Sequence, residues 1–133
     1  MAGARAVQEA IIKGYPDADI SVSIVWINML PLDNSAMARA RAQSMQDPRV
    51  HHFHDPRKRV GRAIAHSMGG RDDVAWDIYL FFAPGGEWDG GPPPATWWAH
   101  QLSGSSWADP AHYHHGDDLV GQLRQAVVSL LRS

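Results

Sequence analysis

The chain has 133 residues, of which 44% are hydrophobic, and its 12 Lys and Arg nearly balance its 14 Asp and Glu. This length fits one domain over residues 1 to 133 with enough apolar surface for a folded core, which excludes a two-domain enzyme and argues against disorder. Because the chain contains no cysteine, it can form no disulfide, no Cys-ligated metal site and no thiolate nucleophile.

The hydrophobic patterns predict four strands and four helices. In chain order we expect a helix over residues 4 to 14, a strand over 20 to 27, a helix from 33 or 34 to 46, an edge strand over 49 to 54, a helix over 56 to 68, strands over 76 to 82 and 96 to 102, and a helix from 117 or 118 through 131. Asp55 is the predicted N-cap of the third helix, with Pro56 at its first position. Residues 103 to 116 show no sustained periodicity and are predicted to be an exposed excursion.

This order of elements, a helix followed by βαβαββα, resembles the thioredoxin-like superfamily over roughly residues 4 to 132. The best local match is the strand-to-helix junction at residues 25 to 33, where the family usually carries Trp-Cys-x-x-Cys. Leu30 and Asp33 stand at the two cysteine positions, and Ala75 stands where the family has its cis-proline. The resemblance therefore implies a mixed four-stranded sheet covered by helices on both faces, without the redox function of the family.

The expected function is that of a non-redox binding or interaction module without a cofactor. The competing hypothesis is a small enzyme that uses Asn28, Asp33 and Asp77. The first two are the polar groups at the junction, and Asp77 lies in an otherwise apolar strand. A carboxylate in such a strand either faces solvent or is buried with a perturbed pKa, and only the second case suits acid-base chemistry.

Six of the eight histidines form two clusters, at residues 51 to 54 and 112 to 115. Side chains at i and i+2 of a strand share a face, and imidazole is a common ligand for zinc and other divalent transition metals. The candidate ligands are His52, His54, His112 and His114. The alternative is that these histidines are exposed polar residues on an edge strand and in a loop.

Charge is segregated along the chain. Residues 39 to 62 hold seven basic side chains and two acidic ones, whereas residues 72 to 118 hold eight acidic side chains and neither Lys nor Arg. Arg57, Lys58 and Arg59 in the first turn of a helix oppose its dipole, which indicates either an anion site or a solvated basic face. Oppositely charged regions on two copies would attract each other, which predicts a homodimer.

Aromatic residues offer a second kind of binding surface, for a small molecule or a peptide. The candidates are Trp26, Trp76, Trp88 and Trp98, although large rings also fill ordinary cores. The chain is not basic overall, so nucleic acid is not the favoured partner. Its apolar runs are too short for a membrane span and no signal-peptide pattern follows Met1, so we expect a cytoplasmic protein without a membrane partner.

Overall fold

The computed structural model describes residues 2 to 27, 35 to 43, 45 to 70, 73 to 89, 91 to 102 and 107 to 132. Its helices are α1 (Ala2–Val7), which continues as a π-helical turn (Gln8–Ile12), α2 (Ser35–Gln43), α3 (Arg59–Ser67), a short 3-10 turn (Pro110–His112) and α4 (Gly116–Arg132). Its strands are β1 (Val22–Ile27), β2 (Val50–Asp55), β3 (Ile78–Phe81) and β4 (Trp97–His100). None of these helices has the length and apolar composition needed to cross a bilayer.

The strands form two separate two-stranded sheets. β1 and β2 are parallel, with Val22 opposite Val50, and β3 and β4 are antiparallel, with Ile78 opposite His100. The predicted thioredoxin-like fold with one mixed four-stranded sheet is therefore wrong, because the described strands form a small α/β structure in which β1 and β3 share no ladder. Among the described strands, each ladder joins two strands that are consecutive in the sequence, and side chains of both sheets pack in a common core. His100 of β4 also forms a single parallel bridge with Tyr113.

One core joins the two ends of the chain. Its centre consists of Leu119, Leu123 and Val127 on α4, packed with Ala10 and Ile11 of the π-helical turn. The 3.6-residue period of a helix places the three α4 side chains on one stripe, as the sequence predicts. Both sheets contribute partly buried side chains to this core, namely Val22, Ile24, Tyr79, Phe81 and Trp97.

A second core lies on the opposite face of the β3–β4 sheet. Ile64 and Ala65 of α3 pack there with Ala75, Trp107 and Ala108, against the partly buried side chains of Ile78, Leu80 and Trp98. Because successive strand residues point to opposite faces, the sheet is covered by α1 and α4 on one side and by α3 on the other. The prediction that residues 103 to 116 form an exposed excursion is wrong at Trp107, because this side chain is only 2% exposed.

Arg49 fixes the start of β2 against the N-terminal helix. Its guanidinium donates to the carbonyl oxygens of Tyr15 at 2.7 Å, Ala18 at 3.1 Å and Ile12 at 3.3 Å. The same group pairs with both carboxylate oxygens of Asp47 at 3.0 Å, and these hydrogen bonds hold the pKa of Asp47 below its usual range. The carbonyl group of Ile12 at the end of the helix, and those of Tyr15 and Ala18 in the segment that follows, thus find their donor in a residue far along the chain.

Candidate functional site

The turn between β2 and α3 contains a buried carboxylate. Asp55 is 7% exposed, and its oxygens accept hydrogen bonds from the backbone N–H groups of Arg59 at 2.8 Å, Val60 at 2.9 Å and Gly61 at 3.4 Å. The Asp55 side chain caps the first turn of the helix as predicted, but Asp55 is not the N-cap residue and Pro56 is not the first helical position. The helix begins at Arg59, and Lys58 occupies the N-cap position without a capping side chain.

Lys58 gives the turn its shape. It adopts the left-handed conformation, with φ 58° and ψ 29°, which side chains other than Gly, Asn and Asp rarely adopt. The backbone N–H of Lys58 also donates to the carbonyl oxygen of Asp55 at 3.2 Å. The reversal leaves a hollow of about 260 Å³ at the end of β2, here called the basic hollow, which is lined by His54, Asp55, Pro56, Arg57 and Arg59.

The charge of the basic hollow is concentrated in its arginines. Arg57 and Arg59 are exposed, as is Arg62 one turn further along α3, and none of the three forms an ion pair with another described residue. The Asp55 carboxylate is already satisfied by three N–H groups of the helix. It therefore acts as the anion that the first turn of α3 needs, and an external anion would meet the guanidinium groups instead of the backbone.

Two predicted site residues, Trp26 and His52, bind each other on the β1–β2 sheet. The indole N–H of Trp26 donates to Nδ1 of His52 at 3.1 Å, and Nε2 of His52 lies 2.8 Å from the carbonyl oxygen of Met45. A carbonyl only accepts, so the proton of the neutral ring is on Nε2. Both nitrogens of His52 are thus occupied, and the guanidinium of Arg41 lies 5.8 Å from the Trp26 ring centre.

The second histidine cluster lies beside β4. His112 stacks on Trp98, with ring centres 4.0 Å apart, and its Nδ1 donates to the carbonyl oxygen of Trp98 at 2.8 Å. Nδ1 of His114 lies 2.6 Å from a carboxylate oxygen of Asp118, and this hydrogen bond holds the pKa of Asp118 below its usual range. Within the described ranges, no three His, Asp or Glu residues are arranged to hold a metal ion.

His100 is a buried histidine outside the set of predicted residues. It is 0% exposed, Nδ1 accepts from the N–H of Leu102 at 3.0 Å, and Nε2 donates to the carbonyl oxygen of Asp109 at 2.7 Å. Trp107 and Tyr113 pack around its ring. Its place at the end of a run of apolar strand residues could have indicated burial, and its saturated hydrogen bonds give it a structural role.

The predicted catalytic residues fall in two places. Asn28 and Asp33 lie outside the described residues. Asp77 lies just before β3 instead of within it, in the left-handed conformation with φ 50°, and burial of its carboxyl group raises the pKa although the residue as a whole is exposed. Burial also raises the pKa of Tyr79, whose hydroxyl accepts from Nε2 of Gln101 at 2.8 Å.

The remaining aromatic candidates do not form one pocket. Trp76 and Trp98 are half-buried, and Trp98 packs in the second core. Trp88 is 51% exposed on the connection between β3 and β4.

A second shallow hollow, of about 250 Å³, lies between α1 and α4. It contains none of the predicted site residues, and among its lining residues are Arg5, Glu9, Gln101 and Asp117.

No known protein family, curated protein or solved structure matches this chain. The relationship to the thioredoxin-like superfamily therefore stays a prediction from the junction motif and the order of elements. The feature that combines a hollow, free cationic groups and predicted ligand residues is the turn between β2 and α3.

Proposed function

We propose that this protein is a binding module that holds an anionic group, a carboxylate or a phosphate, in the basic hollow. One observation supports this proposal above all others. Arg57 and Arg59 line the same hollow and have no acidic partner among the described residues, while the nearby Asp55 carboxylate is already satisfied by the helix. Their positive charge is therefore available to a ligand.

The chemistry of arginine suits this role. A guanidinium presents N–H donors in a planar fork that matches the oxygens of a carboxylate or a phosphate, and it stays charged at every physiological pH. The hollow, at about 260 Å³, is smaller than the pockets of about 300 to 1,000 Å³ that hold drug-sized ligands. It accommodates one anionic group, so the rest of the ligand lies on the surface around it.

The affinity for a free anion should be modest. Exposed ion pairs each contribute between about 0 and 1 kcal/mol, because solvent screens the charges and the side chains lose rotational freedom. A ligand that presents several acidic groups, such as an acidic protein segment, gains from more than one pair at once. The proposed function is therefore the recognition of an acidic surface or segment, and it involves no chemical reaction.

A melting experiment with matched variants tests the proposal. Phosphate stabilises most proteins non-specifically, so its effect is compared with that of chloride at equal ionic strength in R57Q/R59Q and in the control R124Q/R132Q, which changes two exposed arginines of α4. We expect the wild type and the control to show the same extra stabilisation by phosphate, and R57Q/R59Q to show less. Equal stabilisation of all three proteins would overturn the proposal.

A further inference from the structure

We infer that the acidic group in the basic hollow comes from a second copy of this chain, through Glu87 and Asp89 on the connection between β3 and β4. This inference rests on the proposed function and names the partner of the same site. In such a pair, the carboxylates of one copy meet Arg57 and Arg59 of the other. The acidic residues that bind in the basic hollow then come from the second copy and not from the chain that forms the hollow.

The donor segment, here called the acidic loop, consists of Glu87, Trp88 and Asp89. All three residues are exposed, and Trp88 keeps 51% of its surface in solvent. The carboxylates of Glu87 and Asp89 form no hydrogen bond or ion pair with any other described residue. An exposed tryptophan between two free acids is a composition typical of interaction surfaces, in which Trp and Arg are enriched.

The segregation of charge favours a second copy as the partner. The basic hollow lies within residues 39 to 62, with seven basic and two acidic side chains, and the acidic loop lies within residues 72 to 118, with eight acidic side chains and neither Lys nor Arg. The net charge of the chain is only −2, so two copies repel each other weakly as whole molecules. The attraction between their opposite regions is thus not cancelled by overall repulsion.

Phe53 offers the tryptophan a place to pack. It lies on β2 two residues before Asp55, so both side chains point to the same face of the β1–β2 sheet. Phe53 is 54% exposed, and its neighbour across the sheet, Val25, is partly exposed as well. A tryptophan inserted beside the basic hollow would cover this apolar strip, and the contact would remove both rings from water.

Each copy carries one acidic loop and one basic hollow, so a two-fold arrangement forms the same contact twice and closes as a dimer.

Charge reversal in two complementary variants tests the inference by analytical ultracentrifugation. R57E/R59E has an acidic hollow and an acidic loop, whereas E87K/D89K has a basic hollow and a basic loop, so each should associate with itself at least about tenfold more weakly than the wild type. Mixed in equal amounts, the two variants match at both contacts, and we expect a heterodimer. The control R124E/R132E should dimerise like the wild type, and circular dichroism confirms that each variant is folded.

Salt and phosphate separate the possible outcomes. The wild-type dimer should dissociate as salt approaches about 1 M, where the Debye length falls to about 3 Å. A wild type that stays monomeric at high micromolar concentration, or variants that do not associate when mixed, overturns the inference. If the inference is overturned in either way but E87K/D89K still gains extra stability from phosphate, the basic hollow binds anions and its partner is another acidic protein. If phosphate has no such effect, the proposed function fails as well.

Discussion

The indole N–H of Trp26 donates to Nδ1 of His52 across the β1–β2 sheet, over 3.1 Å and with the two rings within 7° of parallel. The two residues are diagonal neighbours, because Trp26 lies opposite His54 and Ile24 lies opposite His52. With Nε2 donating to the carbonyl of Met45, His52 is held as one neutral tautomer. A metal ion at Nδ1 would have to break the bond to Trp26.

Replacing Trp26 by phenylalanine should therefore destabilise the fold. The substitution keeps an aromatic ring but leaves Nδ1 of His52 without its donor, and we expect the free energy of unfolding to fall by about 1 to 2 kcal/mol. Urea denaturation measures this change. Asp19→Asn, at an exposed position outside the proposed interface, is the control and should change stability by less than about 0.5 kcal/mol. Equal stability of the two variants would show that the hydrogen bond contributes nothing.

Asp55→Ala tests the cap of α3. The variant loses the acceptor of the N–H groups of Arg59, Val60 and Gly61, and the loss of such a cap costs about 1 to 2 kcal/mol. The freed N–H groups then become available to a solvent anion, so phosphate should stabilise Asp55→Ala more than it stabilises the wild type. A variant that is destabilised but gains nothing further from phosphate would contradict this second expectation.

Lys58→Gly should stabilise the protein. A lysine in the left-handed region lowers the free energy of unfolding by roughly 1 to 2 kcal/mol. Glycine removes this cost, but it loses more conformational freedom on folding, which costs about 0.5 to 1 kcal/mol. The expected net gain is about 0.5 to 1 kcal/mol, measured by urea denaturation. Arg59→Gly, at the next position and inside the helix, should instead lower stability. A loss of stability in Lys58→Gly would mean that the lysine side chain stabilises the turn in another way.

The sequence locates the strands and helices because their signals are local. The stripe of Leu119, Leu123 and Val127 marks α4, and the aspartate followed by proline at residue 55 marks the turn before α3. The pairing of strands is harder to predict, because the residue pattern of β1 or β3 does not indicate whether their backbones form hydrogen bonds with each other. Side chains of both sheets share one core without a common ladder, and this arrangement is what the prediction of a single sheet misses.

The candidate site was only partly predictable for a similar reason. Arg57 and Arg59 stand out as basic residues at a helix start, but the three hydrogen bonds that make Asp55 the internal anion depend on the left-handed Lys58. The bond between Trp26 and His52 joins residues 26 positions apart, so no local pattern encodes it. The sequence therefore indicates which side chains carry charge and rings, and the turn geometry determines which of them remain available.

Asp77→Asn should make the protein more stable near neutral pH. Burial raises the pKa of Asp77 in the folded chain above its unfolded value of about 3.9, so folding favours the protonated form. The stabilising contribution of this proton is fully present below the unfolded pKa and is lost as the pH rises through the folded pKa. Asparagine stays neutral, and it tolerates the left-handed conformation that this position requires.

Urea midpoints measured between about pH 3 and pH 7 test this dependence. The difference between Asp77→Asn and the wild type should be small at the acidic end and should grow in favour of the variant as the carboxyl group of the wild type ionises. Asp19→Asn, which changes an exposed carboxylate, should show no such trend. A pH-independent difference would mean that folding does not shift the pKa of Asp77, and a variant that becomes less stable than the wild type as the pH rises would mean that the ionised carboxylate has a favourable partner.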